Sequence, residues 1–193
     1  IDAIAGTSMG AVVGGLYAAG LSGDEIERVF RELDWQEMIR DRAPRRDRAY
    51  RRKQDDRNIL AKGALGVNTS NGVVLPLSLV QGHKITQVLR DSTVRVADVQ
   101  DCDRFPTRFR ALATDLETGE AVVMGQGDLV TVLRASMSAP GVLTPVEMNG
   151  RLLVDGGLVD NLPVELAQSM GVERLIVVDV SFPLAQRDGL RSA

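Results

Sequence analysis

The run Ile1-Asp2-Ala3-Ile4-Ala5-Gly6-Thr7-Ser8-Met9-Gly10 decides how this chain is read. Its first five residues read as the end of a buried strand, and the residues after Gly10 are helix-forming and mostly small. A Gly-x-Ser-x-Gly between a strand and a helix is the nucleophile-elbow pattern. Gly6 and Gly10 flank the serine so that strand and helix can approach closely. Ser8 then stands exposed, with its Oγ near the positive end of the following helix. The competing reading is a tight strand-to-helix turn whose serine merely caps the helix.

Working outward, the first helix is expected from about Met9 to Ala19, with Gly20 as its C′ residue. Gly10, Gly14 and Gly15 each cost it about 1 kcal/mol relative to alanine, which fits a helix buried at short range against a sheet. Ser22 with Glu25 forms a capping box, and Leu21 with Ile26 supplies the hydrophobic staple across it. Ile26, Val29, Phe30 and Leu33 then recur at helical spacing with charges on the other face. Residues 59–76 read as loop with edge strands, and residues 82–90 as a helix. Phe109 to Asp115 alternates as a strand, and Thr118-Gly119 turns it into a second strand over residues 121–124. Residues 129–135 form a short helix leading into Ser136-Met137-Ser138-Ala139-Pro140. Arg151 to Val154 is a strand ending at Asp155-Gly156-Gly157. Pro163 opens a helix that ends near Gly171, and Arg174 to Val180 reads as a buried central strand. Alternating strands and helices imply a three-layer α/β sandwich whose central, mostly parallel sheet is flanked by helices. Residues 1–183 are expected to form one domain, with 184–193 a polar tail or linker.

Composition narrows the function. The 193 residues are 44% hydrophobic and 25% charged, ordinary for a globular domain with a sizeable core. A net charge of −3 argues against a nucleic-acid binder. The single cysteine, Cys102, excludes an internal disulfide and a multi-cysteine metal site. No apolar run approaches the ~18 residues of a membrane span, and no signal-peptide pattern occurs. The start inside a strand points to a fragment, from which a targeting segment could be missing. Between Arg40 and Lys53 the composition shifts: eight Lys/Arg against Asp41 and Asp47 give +6, while the remainder of the chain carries −9. This run reads first as a solvated loop or helix face. Its functional alternative is a membrane-binding patch, with Arg45, Arg46, Arg51 and Arg52 drawn to anionic headgroups at about 1 kcal/mol per cation.

A serine nucleophile needs a partner for its proton. The only histidine, His83, precedes the candidate aspartates, the wrong order for an α/β-hydrolase. It also opens a predicted helix, so a surface or capping role is expected for it. The best carboxylate is Asp155, at the carboxyl end of an apolar strand, where ligands gather in open α/β sheets. Ser8 also follows a strand's carboxyl end, so the two side chains can meet there. Gly156 and Gly157 leave room for close backbone approach or positive φ. An ordinary aspartate, with pKa ~3.9, cannot deprotonate serine beforehand. It can accept the proton only as the Ser–carbonyl bond forms. A plain turn role for Asp155 remains the alternative.

Together, Gly6-Thr7-Ser8-Met9-Gly10, Asp155-Gly156-Gly157 and Arg134-Ala135-Ser136-Met137-Ser138-Ala139-Pro140 closely resemble the patatin-like phospholipases, in order and separation and over nearly the whole chain. The resemblance implies Ser8 as nucleophile and Asp155 as its partner in a Ser–Asp dyad without histidine. It implies hydrolysis of an acyl ester in a phospholipid or related lipid through an acyl-enzyme, with no cofactor or metal, at a peripheral membrane surface. Residues 51–57 and 178–183 look more narrowly like bacterial patatin-like passengers fused to an outer-membrane barrel by type V secretion. That narrower likeness implies a secreted or outer-membrane location, with the cytoplasm as alternative. Family members carry a glycine-rich oxyanion loop upstream of the elbow. No Gly-Gly-Gly run occurs here, so the backbone N–H of Met9 is the one oxyanion donor assigned. Ser136, Ser138 and Asp115 are expected to brace the site. Two other functions fit the residues: a small-ester esterase or acyltransferase using Ser8, and a non-catalytic lipid- or membrane-binding passenger.

Overall fold

The computed structural model describes residues 1–34, 66–68, 72–74 and 78–180. The basic run at 40–53, with Arg45, Arg46, Arg51 and Arg52, and the tail at 184–193 lie outside the described residues.

The chain opens with strand β1 (Ala3–Thr7), then helices α1 (Met9–Ala18) and α2 (Gly23–Glu32). Three short strands come after them: β2 (Gly66–Asn68), β3 (Gly72–Val74) and β4 (Ser78–Val80). Helix α3 (His83–Ser92) leads to the long strand β5 (Arg108–Asp115), which turns back as β6 (Ala121–Met124). Next come α4 (Leu129–Ser136), β7 (Gly141–Leu143), β8 (Val146–Met148), β9 (Arg151–Asp155) and the short α5 (Val164–Ser169).

The local signals place these elements close to expectation. Gly20 takes φ 99° just past the end of α1, a left-handed step that glycine makes without steric cost. At α2 the capping box is complete, with Glu25 N–H donating to Ser22 Oγ and Ser22 N–H to Glu25 Oε2. Gly119, at φ 73°, turns β5 into β6.

The expected α/β sandwich is present, and its main sheet is mixed. β1 and β5 run parallel, while β6, β9 and β8 join antiparallel, giving the order β1-β5-β9-β8 with β6 also on β5. β5 is the centre of this sheet: Phe109, Ala111 and Ala113 have no exposed surface. Helices α1 and α4 pack against it and against each other. Gly15 is where they close. A Cβ there would stand 2.7 Å from Leu133 of α4 and 3.2 Å from the Phe109 ring.

One expected element is absent. The composition of residues 174–180 predicts a buried central strand, but they form no strand, and Ile176 is 86% and Val180 83% exposed. Their apolar, β-branched side chains make strand structure favourable only against a neighbouring strand, and no described strand lies beside them. They instead face β1 across a cavity of about 630 Å³. Among the described strands, β1 itself pairs on one side only, with β5.

Candidate active site

The turn from β1 into α1 is as tight as the glycine spacing implies. A Cβ on Gly6 would lie 2.7 Å from the backbone of Gly10 and Ala11, so only glycine lets the helix start this close to the strand. Gly10 differs from its expected role. An added Cβ there meets nothing within 4 Å, because the residue looks into the cavity beside Ser8 rather than at the strand. Of the two elbow glycines, only Gly6 is needed for the close approach.

Ser8 occupies φ 54°, ψ −122°, an unusual backbone conformation for a residue with a side chain, and makes no side-chain capping bond to α1. Its hydroxyl goes elsewhere: Ser8 Oγ donates to Asp155 Oδ2 at 2.6 Å. The capping alternative therefore fails on geometry, and the serine and aspartate singled out in the sequence lie in direct contact. Both are half-buried.

The route by which Asp155 arrives differs from the expected one. β9 runs antiparallel to β5, with Ala113 opposite Asp155, while the parallel pair sets Leu112 opposite Thr7. The two strand ends therefore meet from opposite directions. β9 overlaps only the last three residues of β5 and stops where β1 stops. Register, rather than a shared carboxyl edge, brings the carboxylate to the serine.

Several bonds hold Asp155. Its Oδ1 accepts from Gly157 N–H at 2.8 Å, leaving Oδ2 to face Ser8. Its N–H donates to the Ser138 carbonyl at 3.0 Å, and its carbonyl accepts from Thr114 Oγ1 at 2.9 Å. Gly156 lies against β5, where a Cβ would enter the Leu112 carbonyl and come within 3.0 Å of Thr7 Cγ2. At Gly157 an added Cβ would stand 3.0 Å from Asp155 Oδ1, crowding the carboxylate that its N–H positions.

Ser136 ties the serine turn to the centre of the sheet. Its buried Oγ accepts Ser8 N–H at 3.0 Å and donates to the Leu112 carbonyl at 2.7 Å. Ser8 N–H is so engaged, whereas Met9 N–H lies in the first turn of α1, where amides have no intrahelical acceptor. Ser138 Oγ donates to the Arg134 carbonyl and accepts from the buried Arg134 guanidinium. Asp115 Oδ1 accepts from Glu117 and Thr118 N–H, shaping the β5–β6 turn. Sequence reasoning missed Thr7 and Thr114. Thr7 Oγ1 donates to the Asp160 carbonyl at 3.0 Å, and with Thr114 it clamps the segment carrying Asp155. Threonine is so common in strands that neither position offered a signal.

Other candidate groups stand apart. His83 is exposed at the start of α3, its Nε2 2.8 Å from Gln81 Oε1, and it lines a different cavity from Ser8. Cys102 is fully buried, and desolvation pushes its thiol up to about 11, so it holds little thiolate at neutral pH. Among the described residues no group of three His, Cys, Asp or Glu side chains converges as a metal site would require.

A half-buried serine on a strand–helix turn, bordering a cavity and bonded to a fixed carboxylate, is the arrangement of nucleophilic acyl-transfer chemistry. The family model of patatin-like phospholipases matches residues 1–167, and the chain belongs to that family. An uncharacterised NTE family protein of Mycobacterium tuberculosis is 34% identical over all 193 residues, which cover 44% of its length. A second such protein from the same species is 26% identical over 181 residues, 93% of this chain and 25% of the relative. The lysophospholipase NTE1 of Cryptococcus neoformans is 32% identical over 180 residues, 93% of this chain and 9% of the fungal protein. The chain thus spans less than half the length of these relatives. The narrower likeness to type V passengers draws no support from them.

Proposed function

We propose that this chain is the hydrolase domain of a lipid acyl hydrolase of the phospholipase A or lysophospholipase type. What supports the reading is the family membership together with one observation: Ser8 Oγ ignores its own helix and donates to Asp155 Oδ2 at 2.6 Å.

In this mechanism Ser8 Oγ attacks the ester carbonyl carbon, and its proton passes to Asp155 Oδ2 as the new C–O bond forms. The timing matters, because a carboxylate is too weak a base to form the alkoxide in advance. The carbonyl oxygen becomes an oxyanion near Met9 N–H and the positive end of α1. Collapse breaks the ester C–O bond. The departing alcohol takes the proton back from Asp155, and the acyl group stays on Ser8. Water then attacks this acyl-enzyme, giving its proton to Asp155, and Ser8 recovers a proton as the carboxylic acid leaves. Gly157 N–H keeps Oδ1 occupied throughout, so the same Oδ2 serves both half-reactions.

Labelling with a fluorophosphonate, read by peptide mass, tests the assignment. The adduct is expected on the peptide containing Ser8 and lost in Ser8→Ala, with turnover of a lysophospholipid lost in parallel. A labelled protein that cleaves only small soluble esters, or transfers the acyl group to an alcohol, is the esterase or acyltransferase instead. Absence of labelling in folded protein assigns it to binding without catalysis.

A further inference from the structure

A cavity of about 440 Å³ lies between α3, α4 and the residues joining β7 to β8, and it shares no lining residue with the cavity of Ser8. Its volume falls within the ~300–1,000 Å³ of small-molecule sites. Helix α3 presents His83, Thr86 and Arg90 to it, spaced three and four residues apart on one helix face. Helix α4 presents Thr131 and the buried Arg134. Among the described residues none that lines it is acidic. The carboxylate bonded to its wall, Asp128, has Oδ2 taken by Thr131 N–H and Oγ1. His83 Nε2 is engaged 2.8 Å from Gln81 Oε1, so the fixed charge of the lining is that of Arg90 and Arg134.

The polar atoms sort the groups a ligand can bring. Thr86 Oγ1 donates to the Gly82 carbonyl at 3.0 Å, Thr144 Oγ1 to the Val80 carbonyl at 3.3 Å, and Thr131 Oγ1 to Asp128 at 2.8 Å. With their protons committed, these hydroxyls meet a ligand only as acceptors, whereas guanidiniums only donate. A phosphate group suits the two guanidiniums, whose planar forks match its oxygens. Hydroxyl groups on the same molecule suit the threonine oxygens. The volume also exceeds what phosphate alone would fill, since one water takes ~30 Å³.

Arg134 connects this cavity to the dyad. Its Nη1 donates to Ser138 Oγ at 3.3 Å and its Nη2 to the Gln81 carbonyl at 3.2 Å. The Ser138 carbonyl in turn accepts Asp155 N–H at 3.0 Å. Gly82 leaves the guanidinium its path, because a Cβ there would stand 2.9 Å from Nη2. One buried side chain thus lines the cavity and braces the residue that holds Asp155.

We propose that this cavity binds a small phosphorylated polyol, with Arg90 and Arg134 on the phosphate and the threonine oxygens on the hydroxyls. The site itself stands apart from the hydrolase reading. Only its link to the reaction rests on that reading, since deacylation of a lysophospholipid releases a glycerol phosphate or one of its esters.

Calorimetric titration of the protein with glycerol 3-phosphate, inorganic phosphate and glycerol tests the site and needs no turnover. Glycerol 3-phosphate is expected to bind with a Kd of about 1 mM or below, roughly tenfold tighter than inorganic phosphate, and glycerol not detectably. Arg90→Gln should weaken it about tenfold or more, whereas Arg28→Gln, which removes an exposed cation from α2, should change it less than about twofold. Thr86→Val should weaken glycerol 3-phosphate and leave inorganic phosphate unchanged. No binding of glycerol 3-phosphate, or equal losses in the two arginine variants, overturns the proposal. Equal affinity for the two phosphates overturns its polyol part. Protein labelled at Ser8 with a fluorophosphonate should keep its affinity within about twofold. Loss of binding there would move the ligand to the Ser8 cavity and overturn the proposal. Failure of Ser8 to label strikes the hydrolase reading instead, and the titrations still decide the cavity.

Discussion

Ser8 sits at φ 54°, ψ −122°, a region that residues with a side chain occupy at a cost of about 1–3 kcal/mol and that clusters at functional sites. What this backbone turn achieves is visible in its bonds. It withdraws the hydroxyl from the amides of α1 and aims it at Asp155. The turn is held from behind by Ser136, whose hydroxyl meets both Ser8 N–H and the Leu112 carbonyl. Ser136→Ala removes both partners inside a fully buried site and should destabilise the fold by about 1–3 kcal/mol. Because the Ser8 amide loses its anchor, kcat should also fall by about tenfold or more while KM changes little. Denaturant unfolding and steady-state kinetics on the same sample check both. A variant with native stability and native kcat would show that Ser136 holds nothing. Ser8 and Asp155 could be singled out in the sequence because each stands in a short glycine-containing turn motif, and Ser136 and Ser138 because they lie in a segment that carries the family resemblance. Thr7 and Thr114 stand in no such motif, and their partners are main-chain carbonyls distant in sequence.

Among the elements, those fixed by neighbouring residues follow the sequence closely. The capping box of α2, the Gly20 stop of α1 and the β5–β6 hairpin each depend on contacts a few residues apart. Elements whose character depends on distant partners do not. Nothing local to residues 151–155 specifies that β9 runs antiparallel to β5, or that it stops opposite Ala113. Likewise residues 174–180 carry strand composition, yet whether they become a strand depends on a neighbour that composition cannot supply. The elbow glycines separate the same way. Gly6→Ala places a Cβ 2.7 Å from main-chain atoms of Gly10 and Ala11. These cannot yield without shifting α1, so a loss of about 1–3 kcal/mol is expected. Gly10→Ala meets open space in the first turn of the helix, where alanine is favoured over glycine by up to ~1 kcal/mol, so it should be neutral or stabilising. Urea midpoints of the two variants check the contrast, and equal losses would contradict it.

At the scale of the whole molecule, one sheet edge organises the site. Among the described strands β1 pairs only with β5, and along its other side runs the cavity of about 630 Å³ that holds Ser8 and faces residues 175–180. Helices α1 and α4 pack against β5 and against each other, and Ser136 of α4 reaches the Ser8 turn. Ser8, bonded to Asp155, thus borders the cavity along the sheet edge, while its neighbour Met9 also lines a small apolar cleft among the helices. The remaining titratable candidate, His83, is exposed at the wall of a third cavity. The central claim is that the carboxylate of Asp155, and no histidine, receives the proton of Ser8. The most direct measurement is kcat/KM of Asp155→Asn and His83→Ala on one soluble ester, with folding verified for each. A general base contributes about 10²–10⁴-fold, so the account predicts a loss of that size or larger in Asp155→Asn and a change within about threefold in His83→Ala. Near-native turnover in Asp155→Asn, with the large loss appearing in His83→Ala, would contradict it.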